Sequence, residues 1–230
     1  MCERYAVYFS PDDSTELAHF GRTVLGRGND GLNVEASSDD YPDSAVGKLL
    51  TATPAHYGFH ATLKAPFQLA PGATKQSLLD AVAQIASEHS PVEMCGLRPQ
   101  QISGFLALMF DTQPTAVKLL AQQCVERLES FRGPLSSEDI ERRNPDALSQ
   151  QQLQYLQQFG YPYVLKEFRF HMTLTGRGKN ISEHSDYVDW LCTLYDRTVQ
   201  SSPFLDRLCV FWQPDRKTQF IRISEFRFNR

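Results

Sequence analysis

Two eight-residue stretches constrain this chain more than anything else in it. Residues 57–64 read Tyr57-Gly58-Phe59-His60-Ala61-Thr62-Leu63-Lys64, and residues 168–175 read Phe168-Arg169-Phe170-His171-Met172-Thr173-Leu174-Thr175. Each alternates apolar and polar residues with the period of a β-strand, whose side chains point to opposite faces in turn. Parity then sorts the first stretch: Phe59, Ala61 and Leu63 face a core, while His60, Thr62 and Lys64 share the other side. In the second, Phe168, Phe170, Met172 and Leu174 are the apolar face. Arg169, His171, Thr173 and Thr175 lie opposite, joined by Arg177 if the strand runs on. The two histidines stand 111 positions apart in a chain of 230. That spacing suggests a duplicated half rather than a solenoid repeat.

The remaining text supports the duplication. Arg4 to Ser10, Tyr57 to Pro66, Gln101 to Phe110 and Tyr163 to Thr175 read as strands. Helical spacing runs from about Thr15 to Leu25, from Thr74 to Ser87, onward from Pro114, and from Ser182 to Tyr195. Ser136 to Gly160 reads as two helical pieces split at Asn144-Pro145. Leu205 to Gln213 and Thr218 to Phe228 read as a hairpin across residues 214–217. Gly26 to Pro54, rich in Gly, Asp, Ser and Pro, reads as a long surface loop that could reach over a site. Each half therefore holds a His-x-Thr-Leu strand, a helix and further strand. The expected fold is α+β, a single bilobal domain over residues 1–230. Its two similar lobes would each be a mainly antiparallel sheet with outer helices, facing across a central cleft.

A lone His-x-Thr on a strand is ordinarily structural. Two with the same parity and the same Phe and Leu flanks point to a shared site. Phosphoester cleavage needs such a set: one imidazole takes a proton from the attacking water and the other gives one to the departing oxygen. The ordinary histidine pKa of about 6.5 suits both tasks. Thr62 and Thr173 can hydrogen-bond the non-bridging oxygens, and a cation in line offsets their charge. Parity nominates Lys64 for the first strand, with Arg169 and Arg177 for the second; Tyr57 is placed to stack on the substrate. Neither motif has a carboxylate on its histidine face, so no metal and no cofactor is expected.

Composition narrows the substrate. Net charge is −4, and the 23 Lys and Arg are not gathered into runs. A basic face for long nucleic acid is therefore not expected, and a small phosphorylated substrate is. No stretch approaches the roughly 20 apolar residues of a membrane span. The N-terminus lacks the apolar core of a signal peptide. The five scattered cysteines suit free thiols in a reducing cytoplasm. Nothing in the sequence specifies an oligomeric state.

The paired motifs resemble those of the two-histidine (2H) phosphoesterase superfamily. Within it, Tyr-Gly-Phe-His-Ala-Thr-Leu-Lys-Ala-Pro-Phe at 57–67 and Phe-Arg-Phe-His-Met-Thr-Leu-Thr-Gly at 168–176 are similar to the DUF1045 group, associated with phosphonate metabolism. The resemblance implies His60, Thr62, His171 and Thr173 as a catalytic quartet. It also implies a small cyclic phosphodiester as substrate, such as a 5-phosphoribosyl 1,2-cyclic phosphate. Other readings share the same residues: a non-catalytic binder of a phosphate ligand, a metal-dependent hydrolase with the histidines as ligands, or an RNA-end 2′,3′-cyclic phosphodiesterase or ligase.

Overall fold

The computed structural model describes residues 3–33, 44–177 and 185–229. The first half runs β1 (Arg4–Phe9), α1 (Glu16–Leu25), an inserted α2 (Ser44–Tyr57), β2 (Ala61–Phe67), α3 (Lys75–Ser87), β3 (Val92–Glu93) and β4 (Leu97–Ile102). The second repeats that order: β5 (Phe105–Phe110), α4 (Thr115–Arg127), inserted α5 (Ser137–Glu141) and α6 (Gln150–Phe159), then β6 (Met172–Thr173), α7 (Ser185–Thr198), β7 (Phe204–Leu205) and β8 (Arg207–Gln213). A last strand, β9 (Ile221–Arg227), completes the hairpin with β8.

The helices begin and end where local chemistry dictates. Thr15 caps α1 by accepting the Ala18 N–H, and Gly26 closes it in the left-handed region at φ +66°. Ser149 and Gln152 form a capping box on α6, which Gly160 terminates in the same way.

Among the described residues seven strands form one sheet in the order β4-β5-β6-β2-β1-β8-β9, and every described pairing is antiparallel. Each half lends its last strand to the other: β4 pairs with β5, and β8 with β1. The fold is thus α+β, with the halves joined in mid-sheet by the two motif strands. The junction is narrow. Among the described residues, β2 and β6 meet at a single pair, Ala61 opposite Met172. Among the described residues no helix is long and apolar enough to cross a membrane.

One sheet face packs under α1, α3, α4 and α7 in a large core that includes Val7, Phe9, Ala61, Leu63, Met172 and Leu174. Phe59 and Phe170, each next to a motif histidine, are 2% and 1% exposed. Burying an aromatic ring of this kind contributes on the order of 2–3 kcal/mol, so both motif strands are pinned from the core side. Phe59 fits because it lies on Gly21 of α1, where a Cβ would come within 2.1 Å of its ring. The opposite face carries a smaller cluster of Ala6, Tyr8, Cys209, Phe211 and Phe220, with Tyr57 packed against it.

Several expectations need correction, among them the single strand over Gln101–Phe110, which is a hairpin of β4 and β5 turning at Ser103-Gly104. The segment expected as a loop to Pro54 is helical from Ser44, and residues 34–43 of it lie outside the described residues. Tyr57 consequently ends a helix rather than opening a strand. Pro54 sits inside α2 without breaking it. Proline has no N–H to offer the carbonyl four residues back, and the Leu50 carbonyl left over accepts the Gly176 N–H at 2.6 Å instead. The stretch expected as a strand from Tyr163 is strand only at Met172–Thr173, after a 3₁₀ turn at Leu165–Glu167.

Candidate active site

Antiparallel pairing at Ala61 and Met172 sets the neighbours on either side. His60 falls beside Thr173 and Thr62 beside His171, all four on the face turned away from the main core. The site is therefore a square of two histidines on one diagonal and two threonines on the other. His60, Thr62 and Thr173 line a cavity of about 450 Å³ with Arg4, Arg143 and Arg177. His171 lines an adjoining one of about 290 Å³ with Arg169, Phe105 and Tyr163, and Thr62, Tyr161 and Arg177 border both.

Each imidazole is held the same way. His60 Nδ1 donates to the Gly58 carbonyl at 2.8 Å, and His171 Nδ1 donates to the Arg169 carbonyl at 2.9 Å. A carbonyl can only accept, so the proton of each neutral ring sits on Nδ1 and each Nε2 keeps its lone pair. Thr62 Oγ1 donates to His60 Nε2 at 3.3 Å.

The backbone that supplies those carbonyls is clamped by side-chain amides. Asn29 Oδ1 accepts the Phe59 N–H at 2.8 Å, and its Nδ2 donates to the Phe59 carbonyl at 3.0 Å. In the second half, Gln113 Oε1 accepts the Phe170 N–H at 2.6 Å. Both amides thus seize the residue immediately before a histidine. Gly58 is required beside the first clamp. Its φ is +82°, and a Cβ there would lie 2.4 Å from Asn29 Oδ1.

Comparison with known proteins places a chain of this geometry. Residues 62–221 match the family described as "Protein of unknown function (DUF1045)". The chain belongs to this family. The match takes in the second motif whole and begins two residues after His60. Two curated relatives, both named "Ribose 1,5-bisphosphate phosphokinase PhnN", extend the likeness to longer proteins. The protein of Janthinobacterium sp. (strain Marseille) is 34% identical over 174 residues, covering 75% of this chain and 38% of that one. That of Laribacter hongkongensis (strain HLHK9) is 29% identical over 188 residues, covering 82% and 42%. The chain thus spans about two fifths of the length of these relatives. Among solved structures, "Crystal structure of E.coli LigT complexed with 3'-AMP" aligns over 100% of both chains at 12% identity and a TM-score of 0.43. "Crystal structure of phosphoesterase" aligns over 99% of both at 10% identity and 0.41.

The remaining expected residues of this DUF1045 chain divide. Arg177 lies at the junction of the two cavities, its guanidinium 5.9 Å from the Phe105 ring centre. Arg169 is exposed at the His171 side. Tyr57 lines the His60 cavity, stacked on Phe220 with ring centres 5.4 Å apart. Lys64 is elsewhere. The β1–β2 register steps from Val7↔Lys64 to Tyr8↔Thr62, so Leu63 is an extra, bulged residue. That inverts the alternation and sends Lys64 to the helix side. There its Nζ donates to the Val125 carbonyl at 3.0 Å and pairs with Glu129 at 2.9 Å, only 3% of the residue being exposed. Lys64 is a structural ion pair, and parity misplaced it.

Besides Arg143, Arg4 is a cation of the His60 cavity that parity missed. It precedes Tyr8 by four residues on the site face of β1, and that strand carries no motif to draw attention to its polar side. Nothing in the sequence could have flagged Asn29 or Gln113, whose partners lie 30 and 57 positions away.

Burial sets the proton state. The His60 ring stacks on Tyr8 with centres 3.8 Å apart, and desolvation pushes its pKa down to about 4. Desolvation lowers His171 as well. Both rings are therefore neutral at pH 7 in the unliganded protein. An unfolded His60 takes up its proton near pH 6.5, whereas the folded one stays neutral down to about 4. Its contribution to stability is full above 6.5 and declines as pH falls toward 4. Urea denaturation of the protein and of His60→Asn at pH 7.5 and 4.5 checks this. The wild type is expected to lose about 2 kcal/mol relative to the variant. A pH-independent difference would mean that His60 is not held neutral.

Proposed function

We propose that the chain is a 2H phosphoesterase that hydrolyses a small cyclic phosphodiester by paired-histidine acid–base catalysis, without a resident metal. The observation that carries this reading is the diagonal pair of Nε2 lone pairs, each fixed by an Nδ1–carbonyl bond. One neutral ring takes a proton from water as its oxygen bonds to phosphorus. The other, protonated, gives its proton to the alcohol oxygen as the second P–O bond breaks. A bound phosphodiester anion raises both imidazole pKa values, which offsets the desolvation that keeps them neutral when the site is open. In this reading Thr62 and Thr173 bond the non-bridging oxygens, with Arg177 balancing their charge.

The relatives suggest which ester. They are longer proteins named for a kinase acting on ribose 1,5-bisphosphate. A 5-phosphoribosyl 1,2-cyclic phosphate opened at O2 yields ribose 1,5-bisphosphate, so a hydrolase for it would supply that kinase. The test is phosphorus NMR of a panel: 5-phosphoribosyl 1,2-cyclic phosphate, 2′,3′-cyclic nucleotides and linear diesters, before and after chelator treatment. Turnover of the ribose ester that survives chelation is expected. If no member turns over, the phosphate-binding reading stands instead, and loss on chelation restores the metal-dependent one.

A further inference from the structure

We propose that a second, arginine-lined pocket beside the catalytic cleft is an anion subsite for a terminal phosphate monoester on the substrate. The inference rests on the function proposed above and adds a binding site to it. The pocket, about 220 Å³, is lined by Arg4, Arg132, Arg142, Arg143 and Arg216, with Asp139 its single carboxylate among the described residues. It shares Arg4, Tyr57, Pro66 and Arg143 with the His60 cavity as a common wall, so one small molecule can reach both.

The ion pairs show which of these charges are spoken for. Arg216 pairs with Asp139, Arg142 with Glu138, and Arg132 with Glu129. Arg4 and Arg143, the two on the shared wall, have no carboxylate partner among the described residues. The Arg4 Nε donates at 2.8 Å to the neutral Gln213 Oε1, and its guanidinium lies over the Phe220 ring. Gln213 is itself buried and fixed by donating to the Thr218 carbonyl at 2.6 Å and to His56 Nε2 at 3.0 Å. The Arg143 guanidinium lies over the Tyr161 ring, 4.7 Å from its centre. Two cations are thus held in place by neutral groups. Burial lowers the Arg4 pKa, and the neighbouring Arg216 charge acts in the same direction. A phosphate dianion supplies the missing charge, and forked guanidinium donors match its oxygens.

The experiment compares kcat/KM for ribose 1,2-cyclic phosphate with and without a 5-phosphate, in the wild type and in Arg143→Gln. Arg143 is only partly buried, so the variant is expected to fold, which a melting curve verifies. The wild type should favour the 5-phosphorylated ester. Losing one charge-assisted contact should cut that preference by about tenfold or more. Calorimetric binding of ribose 5-phosphate provides a readout independent of turnover. Affinity should fall to a similar degree in Arg143→Gln and persist in His60→Ala. An equal preference in both proteins, or ribose 5-phosphate binding indifferent to Arg143, overturns the subsite while leaving hydrolysis intact. If neither cyclic ester is turned over, the proposed function fails, and the binding result alone decides the subsite.

Discussion

Replacing His60 or His171 by alanine lowers kcat on the cyclic ester by about 10²–10⁴, the ordinary worth of one positioned proton transfer. The geometry requires a loss at both positions, because each ring turns its one lone-pair nitrogen, Nε2, toward the same square of side chains. Removing both rings costs less than the product of the single losses, since acid and base act in one displacement. Product-like phosphates still bind, because Arg177, Thr62 and Thr173 remain. Phosphorus NMR at saturating substrate gives the rates and calorimetry the binding. Activity within tenfold of wild type in either variant would remove that histidine from the chemistry.

Glu129→Ala is expected to cost about 3–5 kcal/mol of stability, because it leaves a buried cation without its counter-charge. Lys64 Nζ would keep the Val125 carbonyl and the Phe67 ring, neither a counter-charge, in a side chain 4% exposed. Lys64→Met should be mild, less than about 1.5 kcal/mol, because Glu129 retains Arg132 and the methionine fills a similar volume. Neither change is expected to raise KM. Urea denaturation and steady-state kinetics on both variants test this. A stable Lys64→Met protein with a raised KM would return Lys64 to the substrate side and refute its role as a buried ion-pair partner.

The contrast at Lys64 shows how far the sequence reaches. Alternation within each motif placed His60, Thr62, His171 and Thr173 on one face, and the register at Ala61 and Met172 then brings the two faces side by side. The same alternation failed two residues after Thr62, because a bulge depends on the partner strand. The repeat of strand, helix and strand was legible from periodicity, as was the helix end at Gly160. The exchange of β4 and β8 between halves was not, since no local pattern says which edge a strand will join.

What the sequence by itself determined is therefore the family, the α+β class, the duplication and the two histidine faces. All of these rest on short-range periodicity and on motif letters. Tertiary structure decided the rest through partners distant in the chain. The Leu50 carbonyl stranded by Pro54 finds Gly176, Asn29 reaches Phe59, Gln113 reaches Phe170, and Lys64 turns to Glu129. The arginines of the second pocket come from β1, the turn after α4, the end of α5 and the β8–β9 turn. Hydrogen bonds and charges act over a few ångströms of space whatever the separation along the chain. A motif can show which side chains face together, and only the fold can show what holds them there.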